Sequence, residues 1–216
     1  MSRRSTFTDQ SVTYGAIGAT LDPDFLRYPP AGFRPAEDSV KLGSGRERFE
    51  RAADALMTWG VQQGSGFEVT DASPGTGAQY TGVAYDADGA PLAEQPAPRT
   101  EQRFAADGTP YLTAGMTATL VRRGRFRARS IPVLVVYVVD DPDRIGFAYG
   151  TAGPAPEHGE ESFILERRDD DTVWLTVRSI LEPAGGIRRL FAPAQRRRRR
   201  ELVKRQLRAL HPAFPS

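Results

Sequence analysis

Between residues 116 and 183 the chain repeats one pattern, a run of β-branched and aromatic residues followed by a short polar turn. "MTATLVRR", "SIPVLVVYVVD", "RIGFAYGT", "GEESFILERR" and "DTVWLTVRSILEP" follow one another, with "DDPDR" and "RDDDT" among the turns. β-Branched and aromatic side chains fit a pleated surface, and Asp and Pro favour tight reversals. Connections this short cannot carry a parallel crossover, so the stretch predicts an antiparallel meander of five or more strands. Everything else must pack on the faces of that sheet. Residues 133 to 139 are apolar throughout, so their strand should be covered on both sides. In the next strand Ile145, Phe147 and Tyr149 alternate with Gly146, Ala148 and Gly150, which leaves one face nearly bare. A bare face lets a helix or a ligand approach the backbone closely.

Two helical patterns flank the meander. Ser44 and Glu47 have capping-box spacing, Phe49, Ala52, Ala53, Leu56 and Trp59 form one apolar stripe behind them, and Gly60 can end the helix. A second, longer helix is expected from about Pro193, with Val203, Leu207 and Leu210 as its stripe. Heptad steps backward put Arg196 and Arg199 on that stripe, pointing toward the body. They can snorkel to solvent or reach a buried carboxylate or acidic ligand. The fold class is thus α+β, a curved antiparallel sheet packed on a capped N-terminal helix and a long C-terminal helix. Residues 1–31 read as an extended surface lead-in and 32–211 as a single domain with a Gly/Pro/Ala-rich insertion at 72–112. A short tail, 212–216, closes the chain.

Composition narrows the chemistry. The absence of cysteine removes disulfides, thiol nucleophiles and thiolate zinc sites, and His158 and His211 are the two histidines, too few for a convincing metal site. Neither "GSG" tripeptide resembles a nucleophile elbow, and no P-loop or dinucleotide fingerprint is present, so no cofactor is expected. No uncharged apolar run is long enough to span a membrane, and the start lacks a signal-like apolar stretch, which together suggest a cytoplasmic protein. The net charge of +2 is unevenly spread, because residues 187–210 are strongly basic and the remainder is acidic. Basic runs at 122–129 and 196–205 raise nucleic acid or an anionic membrane as partners. Against nucleic acid stand the acidic body and the lack of an aromatic stacking array, and arginine abundance is weak support where only Lys41 and Lys204 of 29 basic residues are lysine.

Glu160 and Glu161 open the fourth strand of the series. Strand alternation sends them to opposite faces, Glu160 with Ser162 and Ile164, Glu161 with Phe163 and Leu165. They cannot form a carboxylate pair, and the inward one needs a cation or hydrogen-bond donors. Arg178, Arg196 and Arg199 are the candidates. The resulting arrangement could be a structural ion pair, a ligand-orienting pair or a general acid/base, which leaves catalysis open. His158 reads as an exposed residue of a Gly-Pro loop.

The phrases "VVYVVDDPDRIGFAYGT" and "GEESFILERRDDDTVWLTVRSILEP", the arginine-rich last helix, "TYGAIGAT" and "GFRPAEDSVKLGSG" resemble the domain of unknown function 1990 family over residues 13 to 210. The family's pattern implies a histidine just before the proline of the loop after "FAYGT"; this chain has Ala155 there. The element order is also similar to the helix-grip architecture of polyketide cyclases and START-like lipid-binding domains, which implies a cavity between a curved sheet and the final helix. The leading expectation is a protein that binds a small apolar or amphipathic molecule there, with Tyr149, Glu160, Glu161, Arg178, Arg196 and Arg199 as candidate ligand-binding residues. The alternatives are an enzyme using Glu160 or Glu161 as general acid/base, or a basic interaction module.

Overall fold

Side chains alternate between the two faces of each strand, and the central strands are buried on both. The computed structural model describes residues 12–74, 103–124, 128–155, 158–182 and 192–211. Strand β1 (Arg34–Ser44) leads into helices α1 (Arg46–Met57) and α2 (Gly60–Gly64). Then come β2 (Glu68–Ser73), β3 (Thr117–Arg123), β4 (Ala128–Asp141), β5 (Arg144–Thr151), β6 (Gly159–Arg167), β7 (Thr172–Leu181) and helix α3 (Ala192–Ala209). All seven strands lie in one antiparallel sheet, in the order β1-β7-β6-β5-β4-β3-β2. The meander is therefore present, and the strand before α1 closes onto β7 at its far edge.

One face carries the main core. Ile145, Phe147, Phe163, Leu165, Leu175 and Val177 point to it, and α1 lays Phe49, Ala52, Ala53, Leu56 and Met57 against them. Fully burying a side chain of this size stabilises by about 1.5–3 kcal/mol, so the α1 stripe alone outweighs its poor cap. That cap is not the expected one. Gly45 occupies the N-cap position with φ 94° and no side chain caps the helix, so Ser44 and Glu47 do not form a capping box. Gly60 does not end α1 either. The reversal falls on Trp59, at φ 68°, and Gly60 begins α2. A β-carbon on Gly60 would come within 2.4 Å of the Ala55 carbonyl oxygen, so close approach is what requires glycine there.

The opposite face is covered by residues 12–33, which contribute Tyr14 and Phe25 to a cluster with Ile180. A bulge in β4, between Val135 and Tyr137, explains the unbroken apolar run of that strand. Before it Val133 and Val135 face the main core; after it Val138 does, while Val136 and Tyr137 join Ala148 and Ile164 on the other side.

The bare face of β5 also lies on this opposite side. Neither a helix nor a ligand space covers it: a β-carbon on Gly150 would sit 2.3 Å from the Tyr14 hydroxyl, so the N-terminal segment fills it. Of the Gly/Pro/Ala-rich stretch, 75–102 lies outside the described residues. Its end is better packed than expected, with Tyr111 and Leu112 in the main core and the Leu112 N–H donating to the Met57 carbonyl.

Candidate functional site

Two consecutive residues of β6 divide the chemistry between the faces. Glu160 is paired across the sheet with Gly150 and Ile180, Glu161 with Tyr149 and Ser179. Both are buried.

Glu160 faces the N-terminal segment and is fully coordinated by it. Its Oε2 accepts from the Tyr14 hydroxyl at 2.8 Å and the Gly18 N–H at 2.7 Å. Its Oε1 accepts from the Thr20 N–H at 3.0 Å and the Thr20 hydroxyl at 2.5 Å. Burial, then the adjacent Glu160 charge, hold the Tyr14 hydroxyl far above the usual tyrosine range, so it remains a donor. Arg178 does not pair with this carboxylate. It binds Glu37 at 2.7 Å, donates to the Thr20 and Asp22 carbonyls, and stacks over Phe25. Arg178 thus braces the turn that holds Glu160. His158 is half-buried rather than exposed, with Nδ1 2.7 Å from the Thr13 hydroxyl, which also meets Thr151.

Glu161 faces α3. Its Oε2 accepts from the Tyr149 hydroxyl at 2.5 Å, and its Oε1 accepts from the Arg199 guanidinium. Tyr149 is packed among Trp59, Phe147 and Phe163 at ring separations of 5.7–6.3 Å. Burial first, then Glu161, push its hydroxyl well above the usual tyrosine range. Tyr149 is therefore a fixed donor and cannot serve as a base near neutral pH. Arg196 does not join the group. It lies exposed on α3, whose inward stripe runs through Arg199, Leu202, Val203, Gln206 and Leu210. The start of α3, residues 193–198, is exposed except for a half-buried Gln195, so a position on the inward stripe there still meets solvent.

Between this group and α3 lies a cavity of about 100 Å³ whose apolar walls are Phe67, Leu120, Ile131, Leu181 and Leu202. Tyr149, Glu161 and Arg199 form its polar wall, and Thr151, Gly159 and Glu160 border it at the end of β5 and the start of β6. Gln62, fully buried, lies near enough to Tyr149 to bear on its hydroxyl, yet its amide makes no well-aligned hydrogen bond. No cluster of three or more metal-ligating side chains occurs among the described residues. No helix of the described residues is long and apolar enough to cross a membrane.

A family described as "Domain of unknown function (DUF1990)" matches residues 13–95 and 95–209. The chain belongs to that family. A UPF0548 protein from Deinococcus radiodurans is 39% identical over 79 residues, 35% of the DUF1990 chain and 40% of the relative. The match thus spans less than half of that relative's length. Among solved structures, hypothetical protein jhp0584 from Helicobacter pylori superposes with a TM-score of 0.51 at 12% identity, covering 93% of this chain and 96% of that one. At that identity the likeness shows the fold alone. A START superfamily protein from Mycobacterium smegmatis covers 82% of this chain and 95% of its own at 12% identity, with a TM-score of 0.39, too loose to carry an argument. The helix-grip arrangement rests on the DUF1990 chain's own geometry, a curved antiparallel sheet with the last helix laid across one face.

The sequence pattern placed Tyr149, Glu161 and Arg199 on facing surfaces. It missed Tyr14, Gly18 and Thr20 as the donors to Glu160, more than a hundred residues away. The signal available was the phrase "TYGAIGAT" itself, polar and glycine-rich where a surface lead-in needs neither.

Proposed function

We propose that this protein binds a small apolar or amphipathic molecule in the space between its sheet and α3. The observation that supports this reading is the cavity of about 100 Å³ with apolar walls and one polar wall made by Glu161, Tyr149 and Arg199. A few convergent polar groups in an otherwise apolar cavity are what orients a ligand. The enclosed part is smaller than the roughly 150 Å³ that admits benzene in a closed core, so an aryl body would also extend into the cavity's open side. The Tyr149 hydroxyl gives its one proton to Glu161 and so presents a lone pair to the cavity, which suits a hydroxyl on the ligand.

The enzymatic alternative narrows to Glu161. Glu160 borders the same space, but both its oxygens accept from four donors of residues 14–20 on the far side of the sheet, which turns its carboxylate away from a molecule beside α3.

Native mass spectrometry of the protein purified from its own host tests the reading. A discrete small-molecule mass should accompany the wild-type chain and be missing from Ile131→Trp, which fills the space. Protein that carries no added mass, together with methyl resonances of Leu120, Ile131 and Leu202 that benzene fails to shift, would rule it out.

A further inference from the structure

The mouth of the cavity carries a charge arrangement that no ion pair among the described residues neutralises. Arg122 of β3 and Arg129 of β4 are directly opposite each other in the ladder. Alternation puts them on the same face as Leu120 and Ile131, two residues further out on each strand. Like charges directly opposite on one face of a sheet are destabilising. The neighbouring Arg123 points the other way and has its own partner, Glu68, at 2.9 Å. Arg122 lies over the Phe67 ring, 5.7 Å from its centroid, at the edge of the cavity that Phe67 lines.

A third cation comes from the helix. Burial first, then Arg205 of α3, then Arg129, push the Arg122 guanidinium below its ordinary value. Arg205 follows Leu202 by one helical turn, on the side of α3 that borders the same opening. None of Arg122, Arg129 and Arg205 forms an ion pair among the described residues. The acidic side chain nearest in the site, Glu161, is already engaged by Arg199 and Tyr149 deeper in.

We infer that the ligand is an anionic amphiphile, a compact aryl or short-chain body carrying a carboxylate, with the body in the cavity and the anion held by Arg122, Arg129 and Arg205 at its mouth. The inference rests on the binding reading above and adds the ligand's charge and direction. Three guanidiniums crowded without a counter-ion gain most from an anion, and a forked guanidinium matches a carboxylate in two-point geometry. The apolar walls explain why a free inorganic anion would not suffice: Leu120, Ile131 and Leu202 offer it nothing to bind.

Three probes of one shape separate the terms, namely 3-phenylpropionate, 3-phenylpropan-1-ol and 3-phenylpropan-1-amine. Binding is followed by the methyl resonances of Leu120, Ile131 and Leu202. The carboxylate should bind about tenfold or more tightly than the alcohol at low salt, with the amine weakest, because hydrogen bonds to charged groups are roughly twice as strong as neutral ones. The preference should shrink as salt rises, since the mouth is open to solvent. The Arg122→Gln/Arg129→Gln variant should cut the preference several-fold, weakening the carboxylate much more than the alcohol. Its melting temperature should equal or exceed the wild type's, because a like-charge pair is removed. Equal affinity for carboxylate and alcohol would overturn the inference while leaving the cavity reading intact. So would a preference that survives when Arg205→Gln is added to the double variant, which would assign the carboxylate to Arg199. Failure of both the carboxylate and the alcohol to shift those methyls would overturn both.

Discussion

Glu160 and Glu161 are adjacent in sequence, alike in chemistry and alike in burial, yet they sit in opposite kinds of site. Glu160 meets four donors drawn from Tyr14, Gly18 and Thr20, all in one segment far back in the chain. Glu161 meets one tyrosine hydroxyl and one guanidinium beside an unfilled space. A carboxylate whose every neighbour is a matched donor is a tie between segments. A carboxylate with fewer partners and a cavity next to it has capacity left for a ligand. The contrast therefore separates a residue that ties two segments together from one that borders a cavity, although both are buried.

The sharpest way to break the comparison is to remove each carboxylate. Glu160→Ala should cost about 3–5 kcal/mol, because each buried donor left unsatisfied costs ~1–3 kcal/mol and several are stranded together. Glu161→Ala should cost about 1–3 kcal/mol, since the Arg199 side chain is 20% exposed and can turn to water, leaving mainly Tyr149 orphaned. Urea unfolding measures both, and equal losses would erase the distinction between tie and site.

A smaller effect tests the seal over Glu160 alone. Gly150→Ala drives a methyl into Tyr14 and should destabilise by about 1–3 kcal/mol through overpacking. Ligand binding beside α3 should be unaffected, because that residue faces the other side of the sheet. A binding defect without a stability loss would mean that the two faces communicate.

The mildest test is alkaline pH. Tyr14 and Tyr149 are held above their ordinary value, chiefly by burial and then by their glutamates, and burial pushes Tyr137 up to about 12. A raised folded-state value means that the folded chain keeps protons the unfolded chain releases above roughly pH 10. This contribution to stability is fully present below that pH and is lost as pH rises beyond it. Melting temperature should hold level between pH 8 and 9.5 and fall at higher pH. Tyr14→Phe and Tyr149→Phe should each shallow the fall, one variant reporting on each glutamate. A slope unchanged in both would show that neither hydroxyl titrates with unfolding.

Much of the sheet was legible because its strands declare themselves locally. Alternation, turn chemistry and short connections are nearest-neighbour properties, and β3 to β7 fall where those properties put them. The α1 stripe was legible for the same reason, at a period of 3.6 rather than 2. The cap and terminator were misread because Ser44 and Gly60 fit a local rule while packing decided otherwise. Trp59 is forced into a left-handed turn by the need to place α2, and its ring against Phe147 repays the strain. The arginines of α3 show the limit of counting: heptad steps found Arg199 and added Arg196, whose stripe position falls in the exposed first turns of the helix.

Alternation also determined, from sequence alone, that Glu160 and Glu161 would part to opposite faces, because side-chain direction along a strand is a local geometric rule. Which face would be sealed and which left open was decided only by tertiary structure. The donors to Glu160 come from residues 14–20 and the cation on Glu161 from residue 199, and no local pattern specifies contacts across such separations. The cavity and its ring of arginines belong to the same class. They exist because five strands and a helix meet there, and a gap among packed elements is a property of none of them singly.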